Sequence, residues 1–337
     1  YFFQIHYYFN LMKTNTENKI TIIIPSKTYD YNLRYCINKI RFFYKKISII
    51  LILDEENSSI RDSNIKVIVS GRKSIGYKRN KGVNLSKTPF VAFIDSDAYP
   101  NSRWLDDILS TFKKNKSVAV VGGPNLSPET NNEEKKLVAN TRKLSFVTIN
   151  SFVKFKSNKT FNVTFLPTVN MVIKSHVYKK LGGMDVSLNA FEDLSLMQKL
   201  IKNKHKILFN GKAYIYHRDR NLKHFFRQRL VYGSEIFNIL IRYPCKQTFL
   251  TLFALTPFLF VLTFPLIFFS NFLLKIYFIC ISGLLIFCII NSFRINFSGN
   301  YFKSLKSILI AVFGPGMGFV ASFFFNSKSI RKIYTQR

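Results

Sequence analysis

Asp95 and Asp97 leave the end of an apolar run, Phe90-Val91-Ala92-Phe93-Ile94, with a single serine between them. Carboxylates at i and i+2 at the end of a strand turn together toward one point. A hard cation such as Mg2+ or Mn2+ takes one or two carboxylates together with phosphate oxygens and water. The chemistry this spacing suggests is a metal–diphosphate site. The same two acids on a solvated turn would bind nothing, so the rest of the chain has to decide. A second acidic pair, Glu192-Asp193, opens the run Leu194 to Ile201. Acids at a helix start also suit the helix dipole.

These residues need elements to hold them. An unbroken apolar run of this length reads as a strand buried on both faces, as in a parallel sheet. Lys19 to Pro25 is a β-branched run stopped by proline. Ile47 to Leu53 is a second strand that ends in Asp54-Glu55, and Ile65 to Val69 is a third. Leu33 to Phe43 and Ser74 to Ser86 have helical character and lie between strands. Alternation of this kind predicts a doubly wound, mostly parallel sheet, and such sheets bind ligands beyond the carboxyl ends of their strands. Further on, Trp104 to Phe112 reads as a helix and Val118 to Val121 as a short strand. Residues 125–159 read as a polar loop and helix. Phe165 to Ile173 reads as a strand, Gly182-Gly183 as a tight turn, and Lys206 to Phe209 and Ala213 to His217 as short strands.

Lys and Arg number 50 against 18 Asp and Glu, a net charge of +32. Such a balance points to nucleic acid or an anionic membrane surface. No nucleic-acid module pattern is present, and the C-terminal third explains the charge differently. Residues 248–270, 276–293 and 307–327 are uncharged runs of 23, 18 and 21 residues. About 20 apolar residues cross a bilayer. All three are expected to span, although Gly314-Pro315-Gly316-Met317-Gly318 and the basic residues after the third run leave a broken or re-entrant form open for that one. His224 to Ile241 sets Phe225, Phe226, Leu230, Ile236, Phe237 and Leu240 against Arg227, Arg229 and Arg242, the pattern of an interfacial helix. Four cysteines without paired spacing fit a reducing compartment. Tyr1 to Leu11 is apolar without a basic start and makes a poor signal peptide, so Met12 is the expected natural start.

In order, the motifs are Ile24-Pro25, Asp54-Glu55, Arg79-Asn80-Lys81-Gly82, Asp95-Ser96-Asp97, Gly182-Gly183-Met184-Asp185, Glu192-Asp193 and His217. This ordered set resembles glycosyltransferase family 2 over about residues 20–245. The resemblance implies a GT-A catalytic domain, Rossmann-like and mostly parallel, that uses nucleotide-diphosphate sugars. It implies that Asp95 and Asp97 are the DxD motif, holding a divalent cation (Mn2+ or Mg2+) against the leaving diphosphate. It implies that Asp193 is the base that deprotonates the acceptor, with Glu192 orienting that acceptor, and that configuration inverts. Pro25 and Ser26 resemble the family's first nucleotide loop, although Lys27-Thr28 replaces its usual residues. Asp54 and Glu55 stand where the family carries Asp-Asp against the nucleobase or ribose. Arg79 matches a basic position that reaches phosphate. Asp185 resembles an acid near the sugar, or caps the next segment. His217 completes the metal site or is structural. Arg227-Gln228-Arg229 lies where processive synthases carry Gln-x-x-Arg-Trp. The tryptophan is missing here, which argues for transfer of one sugar.

The expected organisation is an N-terminal extension (1–18), a catalytic domain (19–221), an amphipathic interfacial helix (222–245), a transmembrane region (246–327) and a basic tail (328–337). The expected activity moves one sugar from a nucleotide donor to a membrane-associated, lipid-linked or glycan acceptor. The enzyme would be a multi-pass membrane protein with its catalytic domain on the cytoplasmic side. A polyprenyl-phosphate acceptor is a narrower version. A membrane-bound nucleotidyltransferase would want a glycine-rich loop after the first strand, and Pro25-Ser26-Lys27-Thr28 has none. A non-catalytic membrane or nucleic-acid binder would leave the acidic pairs at strand ends unexplained.

Overall fold

The computed structural model describes residues 16–325 apart from 58, 149, 297 and 298. The expected basic tail, and the N-terminal extension before Thr16, lie outside the described residues. The strands are β1 (Ile20–Pro25), β2 (Ser48–Leu53), β3 (Ile65–Val69), β4 (Phe90–Phe93), β5 (Ala98–Pro100), β6 (Val118–Gly122), β7 (Asn125–Leu126), β8 (Thr160–Asn162), β9 (Met171–Lys174), β10 (Lys206–Asn210) and β11 (Ile215–His217). The α-helices are α1 (Tyr31–Phe43), α2 (Ile75–Leu85), α3 (Trp104–Lys114), α4 (Glu133–Lys143), α5 (Ser175–Lys180), α6 (Glu192–Lys202), α7 (Leu222–Arg242), α8 (Lys246–Leu252), α9 (Thr256–Leu262), α10 (Asn271–Ile295) and α11 (Tyr301–Phe324). They fall into two compact units. The first comprises residues up to Pro128 with Phe152–Leu188 and Glu192–Arg218. The second takes Glu129–Ser151, Asn189–Phe191 and everything from Asp219 onward.

The first unit is built on an eight-stranded sheet of order β3-β2-β1-β4-β9-β6-β10-β8, beside a small sheet of order β5-β11-β7. β1, β2, β3 and β4 run parallel, β9 runs against both β4 and β6, and β8 runs against β10. Every residue of β1 is buried, as an isoleucine-rich strand with helices on both faces requires. One helix layer uses Leu33, Cys36, Ile37 and Ile40 of α1 and Trp104, Leu105 and Ile108 of α3, while the opposite face of the sheet packs against α2, α5 and α6. Helix starts follow local chemistry. Asp30 caps α1 through a 2.9 Å bond from the Leu33 N–H, and Ser74 caps α2 through a 3.3 Å bond from the Tyr77 N–H. Gly82 lets α2 lie directly on the sheet, because a Cβ there would sit 2.6 Å from Ile23.

The run 165–173 is a strand only from Met171 onward. Pro167 precedes a 3-10 turn, Thr168–Asn170, that turns Asn170 into the interior. Its side chain there takes the Trp104 indole N–H at 2.7 Å and donates to the carbonyls of Pro124 and Ala213, both at 2.8 Å. A buried amide with this many partners outweighs the strand preference of the flanking residues.

The second unit is helical. α7 lies along α11 at glycine contacts: a Cβ on Gly233 would run into the Pro315 carbonyl, one on Gly318 into the Leu230 carbonyl, and one on Gly314 would sit 2.7 Å from Arg229 Cβ. Small residues at such a crossing let backbones meet. The apolar face of α7, read from the sequence as lying on a bilayer, is therefore partly covered by protein. Phe225 packs with Val138, Val147 and Ala311, and Ile236 is buried, whereas Phe237 and Ile241 remain exposed. Arg229, assigned to the polar face, is buried as well, 3.3 Å from the Val147 carbonyl.

One expectation about the apolar runs changes and one that was left open is decided. Residues 248–270 do not form one long helix. They form α8, α9 and a 3-10 turn at Phe264–Phe269, with Pro257 and Pro265 each in the opening positions of a new segment. The third run is not broken at its glycines. α11 continues through Pro315, whose neighbouring Gly314 and Gly316 are packed against Arg229 and Phe258. α10 and α11 are each long and apolar enough to cross a membrane. α10 is almost wholly exposed, while about half of α11 is buried by its own unit.

Candidate active site

β4 delivers its last apolar residue, the buried Ile94, and the chain then turns. The Ala98 N–H returns to the Asp95 carbonyl at 3.0 Å, so Asp95, Ser96 and Asp97 form a tight corner before β5. β5 pairs antiparallel with β11 so that Ala98 faces His217. The Arg218 N–H donates to the Asp97 carbonyl at 3.1 Å and holds that register. Asp95, Asp97 and His217 thereby offer ligand atoms that all lie within 4.8 Å of one another. His217 is 6% exposed, and neither of its ring nitrogens has a hydrogen-bond partner among the described residues. Its Nε2 lies 3.2 Å from Asp97 Oδ1 without hydrogen-bond geometry. A buried imidazole in this state beside two carboxylates is a donor set that suits a divalent cation.

The second acidic pair opens α6. Phe191, immediately before it, has φ +65°, a backbone state bulky residues adopt rarely and that gathers at functional sites. Glu192 is 9% exposed and accepts from Arg79 Nη1 at 2.7 Å. Asp193 accepts the Leu194 N–H at 2.8 Å. Burial pushes the Asp193 carboxyl up to about 7, with Glu192 acting the same way and Arg79 pulling back. A carboxylate held near neutrality is matched to taking a proton from a hydroxyl at physiological pH.

Arg79 does not turn toward open solvent, where a phosphate would meet it. Its side chain is 2% exposed, and its second nitrogen, Nη2, donates to Asp95 Oδ1 at 2.8 Å. Lys78, which the sequence reading passed over, is equally buried. It pairs with Asp54 at the end of β2 and donates to the Ser26 carbonyl. The signal was its spacing: Ser74, Lys78 and Gly82 recur every four residues on α2. Pro25 ends β1 fully buried, the Ser26 N–H bonds the Ile52 carbonyl at 3.0 Å, and Glu55 is exposed. The strand-end residues Pro25, Ser26, Asp54, Asp95 and Asp97 thus share one edge of the sheet.

Gly182 and Gly183 take φ of +71° and +69°. They turn the chain so that Asn80 can accept the Met184 N–H and donate to the Met184 carbonyl, both at 2.9 Å. Asp185 then accepts the Ser187 N–H at 2.9 Å, closing a local turn.

The fold is a mixed α/β sheet of the GT-A type, with a carboxylate–imidazole cluster at its strand ends. The chain belongs to the glycosyltransferase like family 2, whose profile matches residues 21–230. It is similar to the pre-mycofactocin glycosyltransferases of two Mycobacterium tuberculosis strains, CDC 1551 / Oshkosh and ATCC 25618 / H37Rv. It is 24% identical to each over 242 residues, which are 68% of this chain and 49% of theirs. The chain therefore spans about half the length of these curated relatives. Among solved structures it is similar in fold to GalNAc-T7 with UDP, GalNAc and Mn2+, at 13% identity and TM-score 0.46, over 64% of this chain and 50% of that one. It is also similar to S. aureus TarS 1-349 in complex with UDP, at 17% identity and TM-score 0.43, over 65% and 66% of the two chains.

Proposed function

We propose that this enzyme moves one sugar from a nucleotide-diphosphate donor to a hydroxyl of a membrane-associated, lipid-linked glycan acceptor, with inversion at the anomeric carbon. The observation that carries the reading is the convergence of Asp95, Asp97 and His217 on one point, with Glu192, the sequence neighbour of Asp193, joined to Asp95 through Arg79. Asp95, Asp97 and His217 would hold a divalent cation, Mn2+ or Mg2+, which supplies Lewis-acid stabilisation of the departing diphosphate. Pro25 and Ser26 would line the nucleotide through backbone groups, and Asp54 and Glu55 would face the base and ribose. Asp185 would border the sugar. Asp193 Oδ takes the acceptor hydroxyl proton as that oxygen attacks the anomeric carbon from the face opposite the leaving group. Glu192 orients the acceptor. One base-activated attack gives one inversion.

The membrane reading rests on α10 and α11. A 25-residue helix that is apolar all round and exposed is not a stable surface in water. Cysteines without paired spacing support a cytoplasmic catalytic side. Residues 19–221 would form the catalytic part, with the later helices as anchor.

The test is calorimetric titration of the full chain in detergent with a panel of nucleoside diphosphates, with and without Mn2+. Metal-dependent binding of one member supports the donor site and names the nucleotide. A folded chain that binds none of them with either metal would refute the reading.

A further inference from the structure

Helix α2 carries three consecutive polar residues that each reach a different part of the site. Lys78 goes to Asp54 and the Ser26 carbonyl, on the nucleotide side. Asn80 goes to both backbone groups of Met184, in the turn before α6. Arg79, between them, goes to both sides at once, 2.8 Å from Asp95 and 2.7 Å from Glu192. The helix is fixed at its start too, where Ser74 Oγ donates to the Val186 carbonyl at 2.9 Å. At Gly76 a Cβ would sit 3.3 Å from the Asp185 carbonyl and 3.5 Å from Glu192 Cβ, so α2 lies in close contact with the segment that carries the acidic pair.

We infer that Arg79 is a positioning residue that couples the donor-side carboxylate Asp95 to the acceptor-side pair Glu192-Asp193, so that cation binding at Asp95 and the placement of Glu192 depend on each other. The inference rests on the function proposed above and adds a dependence between its two halves. A guanidinium at 2% exposure has left its water behind and is kept charged by its partners. Its two Nη groups belong to one rigid plane, so the carboxylates they hold are fixed in relation to each other, which a lysine ammonium would not achieve. Arg79 Nε has no partner among the described residues, so the two carboxylates carry the whole arrangement. The two ion pairs compete. A cation on Asp95 weakens the Arg79–Asp95 pair and drives the guanidinium onto Glu192. Removing the Glu192 charge leaves Arg79 wholly to Asp95, where it opposes the cation. By linkage, each site reports on the other.

The experiment is a double-mutant cycle read as Mn2+ affinity. Free Mn2+ is followed by electron paramagnetic resonance in the presence of the nucleoside diphosphate that binds. The proteins are the full-length chain, Glu192→Gln, Arg79→Lys and the double variant. Glu192→Gln touches no metal ligand, yet it is expected to weaken Mn2+ binding roughly fivefold or more, in the usual range of coupling between sites. In the Arg79→Lys background the same change is expected to shift Mn2+ affinity less than about twofold. Thermal melts confirm folding, and Arg79→Gln serves as the replacement background if the lysine variant fails to fold. A purely structural arginine would lower stability in every background without this non-additivity. Glu192→Gln having no effect on Mn2+ affinity, or the same effect with and without Arg79, would overturn the coupling while leaving the proposed function intact. A wild-type chain with no Mn2+-dependent nucleotide binding would overturn both.

Discussion

Asp95 and Asp97 on one side, and Glu192 and Asp193 on the other, are the same chemistry in opposite surroundings. The first pair sits at a corner beside an imidazole whose nitrogens have no hydrogen-bond partner among the described residues. The second sits at a helix start with one member ion-paired to a buried arginine and the other pushed up to about 7 by burial. Each pair gives one carboxylate to Arg79; what divides the labour is the other member, Asp97 beside the His217 imidazole and Asp193 raised by burial toward the strength of a base.

Several changes would break or sharpen that division. Asp193→Asn is expected to lower turnover by about 10²–10⁴-fold, the range for loss of a general base, while metal-dependent nucleotide binding stays within about threefold. Steady-state kinetics and calorimetry on the same preparation check this, and near-full turnover would move the base elsewhere. Asp97→Ala or His217→Ala is expected to do the reverse, weakening Mn2+-dependent nucleotide affinity by about tenfold or more. Calorimetry that found both variants unaffected would dissolve the metal corner.

The two pairs also separate by pH. Asp193 is neutral below its raised pKa and serves as a base only when ionised. Turnover at saturating Mn2+ is therefore expected to rise about tenfold per unit up to about pH 7 and then level off. In Asp193→Asn the residual rate should lose that limb. The smallest effect is on stability. An acid whose pKa is raised by folding favours the folded state at low pH and loses that advantage as pH climbs from its unfolded value, near 4, through about 7. Removing the charge should therefore raise the Tm of Asp193→Asn at pH 8 by about 2–4 °C, equivalent to about 1 kcal/mol. A melt that fell instead would mean Asp193 is stabilised as a carboxylate.

Much of this site could be read from local pattern. Ile49 to Leu53 and Phe90 to Ile94 announce buried strands by their unbroken apolar runs, and the acids after them fall at the ligand-binding edge by topology alone. The partners of Arg79 could not be read in the same way. Asp95 lies 16 positions away and Glu192 lies 113 away, and nothing in local sequence reports a pairing made by packing a helix onto a sheet. Hydropathy failed at the first apolar run because it counts charges and ignores backbone geometry, and at the third it was the Gly-Pro-Gly pattern that misled. Pro257 and Pro265 break a run that composition joins, and Pro315 is carried inside a helix that composition would break. The division into units was hidden too, because residues 129–151 read as a loop of the catalytic domain.

That last segment has a cost in time. α4 is held by groups far later in the chain, with Thr141 hydrogen-bonded to Ser307 at 2.7 Å and Asn140 to the Ile295 carbonyl at 2.9 Å. Leu137 and Val138 are buried among the same late helices. During synthesis, α11 emerges roughly 150 residues after α4. At about 5–20 residues per second, that leaves an amphipathic helix waiting on the order of ten to thirty seconds for its cover. The catalytic strands can close over that interval, while α4 has Leu222 and Phe225 of α7 to pack on until α11 arrives.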